Sequence, residues 1–103
     1  MVIKDMTTFT FKDYGEQLGT RVLGAQVRQD LLSVMEKDNK VVLDFSGVDV
    51  VANAFADECI AKLLLTMTLT ELKSRTTFAG LNDMARMNIA LALKRRQLAL
   101  TAN

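Results

Sequence analysis

The stretch from Val41 to Leu65, VVLDFSGVDVVANAFADECIAKLLL, limits what this chain can fold into more than any other. Val41, Val42, Leu43 and Phe45 form an apolar run with almost no polar alternation, the pattern of a strand buried on both faces of a parallel sheet. Asp44 marks its C-terminal end, and Ser46-Gly47 turns the chain. Val48, Val50 and Val51 then pack the loop back onto the core. From Ala54 to Met67 the spacing becomes helical, with Phe55, Cys59, Leu63 and Met67 on one stripe and Ala56, Ile60 and Leu64 beside it. Asn53 is a good N-cap for that helix, and Asp57 and Glu58 suit its positive end. In a strand–loop–helix unit of this kind, the loop and the first helical turn are the functional surface, because main-chain N–H groups point outward there.

The flanking segments supply the rest of an α/β domain. Met1 to Phe11 is rich in strand formers and predicts an edge strand or hairpin, with Lys4-Asp5 as a break. Gln17 to Asp38 predicts the first helix, with Leu23, Val27, Leu31 and Val34 on its apolar face and Gly19 or Thr20 as its cap. Gly24 on that face lets a strand approach closely. Arg21 and Arg28 fall on the other face; Arg21 is either solvated or engaged by an acidic partner. Thr68-Leu69-Thr70-Glu71 fits a capping box and predicts a short helical turn to Ser74. Thr76 to Ala79 is a short strand stopped by Gly80, and Asn82 or Asp83 caps a last helix over Met84 to about Gln97. Ala85, Ile89, Ala92 and Leu93 face inward from it, and Lys94, Arg95 and Arg96 form a solvated basic end. The expected architecture is one domain, residues 1–103, built on a small mixed or mostly parallel sheet of about four strands with three to four helices.

Composition excludes several functions. The formal net charge is +1, from 13 basic and 12 acidic residues, so no basic face for nucleic acid is expected. The absence of His removes the commonest general base and metal ligand, and a single Cys excludes an internal disulfide or a Cys-based metal cage. Cys59, on the apolar stripe, is a small core hydrophobe with no base to activate it. No P-loop or dinucleotide fingerprint is present. Asp57 and Glu58 are neighbours on a helix and point apart, so no paired-carboxylate site is expected. No cofactor and no metal are implied, no apolar run spans a bilayer, and no signal-peptide pattern opens the chain, so the expectation is a cytoplasmic protein that is not an enzyme.

Several motifs resemble the STAS-like family of small bacterial domains, relatives of sulphate-transporter and anti-sigma-factor-antagonist domains. They are Gly19-Thr20-Arg21, the run from Val41 to Val48, and Ala54-Phe55-Ala56-Asp57-Glu58, in that order and spacing, within about Phe11 to Gln97. The resemblance implies a regulatory interaction module that docks a protein partner, such as an ATPase-fold kinase or anti-sigma factor, through the loop after the central strand and the helix that follows. Carried over residue by residue, the partner-binding positions are Asp49, Asn53, Ala54, Phe55, Asp57 and Glu58, with Arg21 alongside. Switchable relatives carry a phosphorylated Ser at the helix start. Ala54 stands there and has no hydroxyl, so that switch cannot operate at this position.

Val41 to Ala61 carries Asp44, Asp49, Asp57 and Glu58 and no basic residue, which predicts an acidic rim beside Phe55 suited to a basic partner. Two further functions remain open: a small ligand or nucleotide at the C-terminal ends of the strands, near Asp44 and Asn53, and a homodimer through Leu65, Met67 and Leu69.

Overall fold

The apolar run that begins at Val41 becomes the middle strand of a three-stranded sheet. The computed structural model describes residues 6–102, so the break expected at Lys4-Asp5 lies outside the described residues. The elements are β1 (Met6–Thr10), a 3-10 turn (Phe11–Tyr14), β2 (Gln17–Leu18), α1 (Arg21–Lys37), β3 (Lys40–Asp44), β4 (Val50–Val51), α2 (Asn53–Phe55), α3 (Leu69–Arg75), β5 (Thr76–Ala79) and α4 (Asp83–Thr101). From α2 the helical path continues through a π-helical turn (Ala56–Ile60) and a 3-10 stretch (Ala61–Leu65), and residues 66–68 then separate it from α3. No described helix is long and apolar enough to cross a membrane.

The sheet order is β1-β3-β5 and every pairing is parallel, with Leu43 opposite Phe9 on one side and Phe78 on the other. Among the described residues β1 is therefore an edge strand, paired only with β3. Val41, Leu43 and Phe45 are buried, while Val42 is half-buried. At the C-terminal edge of the sheet, the Phe11 ring stacks on Phe45 at 3.9 Å and meets Phe9 edge-on at 4.9 Å. This aromatic wall supports the loop after β3 from below.

That loop is tightly specified. The Ser46 N–H donates to Asp44 Oδ1 at 2.9 Å, and the Val48 N–H donates to the Phe45 carbonyl at 3.0 Å. Gly47 sits at φ +81°, a conformation that L side chains rarely adopt. The chain then adds a second, two-residue parallel ladder, in which Gln17 and Leu18 pair with Val50 and Val51. Sequence patterning places Gln17 in the first helix instead, because two residues are too few to show a strand period. Asn82 and Asn88 donate to the Asp49 and Val51 carbonyls at 2.9 and 2.8 Å and tie α4 to the loop and ladder.

Helix ends follow side-chain chemistry. The Thr20, Thr68 and Asn82 oxygens accept from the Leu23, Glu71 and Ala85 N–H groups. The Arg75 guanidinium donates to the Met35, Asp38 and Asn39 carbonyls and closes the C-terminal end of α1. Asn53 behaves differently: Ala52 holds the cap position, Asn53 is the first helical residue, and no side-chain cap bond forms.

The buried face of α1 is Gly24, Val27, Leu31 and Met35, with Leu23 and Val34 only half-covered. Gly24 admits the π-helical turn rather than a strand: a Cβ there would lie 2.9 Å from Glu58 Cβ and 3.4 Å from the Cys59 nitrogen. Gly24→Ala is therefore expected to destabilise the protein by about 1–3 kcal/mol, despite its helix propensity gain. Urea unfolding measures this; a more stable variant would show that α1 and the turn are not in contact.

Candidate functional site

The corner where α1, the π-helical turn and α4 meet is held by a network of ions. Arg21 and Arg28 lie seven residues apart with Gly24 between them, so all three share one face of α1. Gly24 lets the turn come close, and the two arginines reach its acids. Glu58 receives Arg21 at 3.3 Å, Arg28 at 3.0 Å and Lys62 at 3.0 Å. Arg28 also donates to the Glu58 carbonyl, so the backbone and side chain of Glu58 share one guanidinium. Asp57 receives Arg21 at 2.8 Å, and Arg96 from α4 at 2.7 Å.

This arrangement corrects the acidic rim. Glu58 is only 8% exposed and Phe55 is fully buried, so the rim's centre is inside the protein. Asp57 is half-buried and bridged by guanidinium groups on both sides. Asp57 and Glu58 do meet, on Arg21 Nη1, although they are adjacent in sequence. Of the partner-binding residues expected from sequence, Arg21, Asp49 and Asn53 are exposed, Ala54 and Asp57 are half-buried, and Phe55 and Glu58 are buried. Phe55 is a core residue packed under the corner, not a contact on its surface.

The basic run lies within α4. The helix continues to Thr101, so Lys94, Arg95 and Arg96 lie inside it rather than at its end. Ala92, Arg95, Arg96 and Ala99 recur at helical spacing and face the start of the segment 53–65. With Arg21, Asn53, Ala54 and Asp57 they line an open cleft of about 440 Å³. One sequence signal for the network was available: Glu58 and Lys62 are an i, i+4 pair with Glu first.

Electrostatics follow from the geometry. Burial pushes the Asp57 carboxyl up, but hydrogen bonds from Arg96 and Arg21 outweigh this and hold it below its ordinary 3.8. Burial acts on Glu58 in the same sense, and Lys62, Arg28 and Arg21 together hold it below 4.5. Burial raises the Cys59 thiol to about 12, so Cys59 is an inert core group. Among the described residues, no cluster of His, Cys, Asp and Glu could hold a metal ion.

A family model described as a STAS-like domain of unknown function (DUF4325) matches residues 24–86, and the chain belongs to that family. No curated protein and no solved structure matches it. The matched stretch contains the central strand, the loop and the π-helical turn; Arg21 precedes it, and Arg95 and Arg96 follow it.

Both carboxylates titrate lower in the folded chain than in the unfolded one. They stabilise the fold fully above their ordinary values of 3.8 and 4.5, and this is lost as pH falls through the lowered folded values. Stability should thus fall steeply below about pH 4. Asp57→Asn should flatten that acid limb, measured by urea unfolding between pH 2 and pH 7; an unchanged limb would place the acid sensitivity elsewhere.

Proposed function

We propose that this protein is a non-enzymatic regulatory interaction module that docks a protein partner through the corner formed by Asp49, Asn53, Ala54 and Arg21. One observation carries the proposal: at the start of the helical segment 53–65, exposed polar side chains stand on a backbone held rigid from below. Asn53 is exposed and caps nothing, and Asp49 is exposed with its carbonyl fixed by Asn82. Polar groups on a rigid frame lose little entropy on binding. The chain belongs to a STAS-like family of unknown function; the resemblance to anti-sigma-factor antagonists, not the family match, suggests this surface and an ATPase-fold kinase or anti-sigma factor as the partner class. Asp57 and Glu58 take part through their pairing with Arg21, which orients that guanidinium toward the cleft mouth.

Ala54 offers no hydroxyl at the helix start, so docking is not broken by phosphorylation there. The alternative of a small ligand at the strand ends has less support. The Asp44 carboxylate accepts the Ser46 N–H within its own turn, and the cleft takes no lining residue from β3 or the loop after it.

The test is to co-purify the partner, identify it, and reconstitute the complex from purified components. Asn53→Glu and Asp49→Lys should each weaken binding by about tenfold or more, about 1.4 kcal/mol, with unfolding temperature unchanged. Met87→Lys, at an exposed position on α4, should bind as wild type. Equal affinities for all of these proteins would contradict docking at this corner.

A further inference from the structure

The acids between Val41 and Ala61 suggest a negative corner, yet the folded corner is positive. The cleft beside Asn53 is lined by Arg21, Arg95 and Arg96, and Asp57 is the one acid in its lining. Arg21 and Arg96 both contact Asp57. Three guanidinium groups against one carboxylate leave a formal charge of +2 around a space of about 440 Å³. Arg95 is exposed and makes no ion pair among the described residues. Arg96 Nε is buried with no hydrogen-bond acceptor, although the same guanidinium holds Asp57 through Nη2. Ala54, Ala92 and Ala99 keep the space between these groups open.

Resting on the docking proposal, we infer that this cleft receives a phosphorylated side chain of the partner protein. The charge argues for a phosphomonoester over a carboxylate: a phosphate monoester carries about −1.5 to −2 at neutral pH and matches the excess, whereas a single carboxylate leaves part of it uncompensated. Guanidinium groups suit its oxygens because they donate paired, parallel hydrogen bonds. Asn53 adds a neutral donor at the rim. The Asp57 carboxylate holds Arg21 and Arg96 in place while leaving the exposed Arg95 for the incoming group.

The test uses the full chain, labelled with nitrogen-15, and titrates it with a short Gly-rich peptide carrying one phosphoserine. Control titrations use the same peptide with Ser or Glu in that place, adenosine monophosphate, and inorganic phosphate. The phosphoserine peptide should shift the Asn53 and Ala54 amides and the Arg95 and Arg96 Nε–H signals, and bind about tenfold tighter than the Ser and Glu peptides. Arg95→Ala should remove about tenfold of that affinity, while Lys94→Ala, outside the cleft lining, should keep it. Equal binding of the Glu peptide would overturn the inference in favour of an acidic segment. Equal or tighter binding of adenosine monophosphate or inorganic phosphate would overturn it in favour of a free metabolite. Capture of the reconstituted partner equally by wild type and Arg95→Ala would also overturn it, and would leave docking itself standing if Asn53→Glu still blocks capture.

Discussion

The pairing of Asp57 and Glu58 with cations from three directions is the interaction on which the rest of the corner depends. Arg21 and Arg28 come from α1, Lys62 from the same helical path, and Arg96 from α4. Two carboxylates at the meeting point of three helical segments would be costly to bury alone, because desolvation of an unpaired charge opposes folding. Paired in this way, they join segments far apart in sequence. The network also explains why a π-helical turn is tolerated here. Its widened backbone presents the Glu58 carbonyl to Arg28, so the irregular register leaves that acceptor satisfied.

The sheet fixes where this meeting point sits. β3 lies between β1 and β5, so its C-terminal end is held on both sides, and the stacked rings of Phe11 and Phe45 close the space beneath. The loop after β3 is then fastened by its own turn, by the short ladder of β2 with β4, and by Asn82 and Asn88 from α4. Motion of Asn53 relative to α4 would require several of these bonds to break together. A surface built this way is ordered in the free protein, the condition under which the proposed docking would cost little entropy.

Much of this was legible in the residues. The strand, turn and helix between Val41 and Leu65, the capping box at Thr68, the strand Thr76–Ala79 and the Asn82 cap all rest on local chemistry, and local chemistry is written in short stretches of sequence. What was hidden depended on tertiary partners. Arg21 and Arg28 lie away from the Leu23 and Val34 stripe, and they resemble solvated residues until another helix is placed against Gly24. Phe55 looked like a surface anchor because it follows the helix start, but its ring is drawn into the core. The basic residues after Leu93 look like a helix end when the helix stops near Gln97. With the helix running on to Thr101, Arg95 and Arg96 line the cleft and Arg96 holds Asp57, and the sign of the charge at the corner reverses.

The most direct measurement is a double-mutant cycle between Asp57 and Arg96, using Asp57→Asn, Arg96→Gln and the pair, read by urea unfolding at neutral pH. A coupling of about 1 kcal/mol is predicted, as for partly buried residues in one ionic network. Effects that add within about 0.3 kcal/mol would contradict a corner held together by these charges.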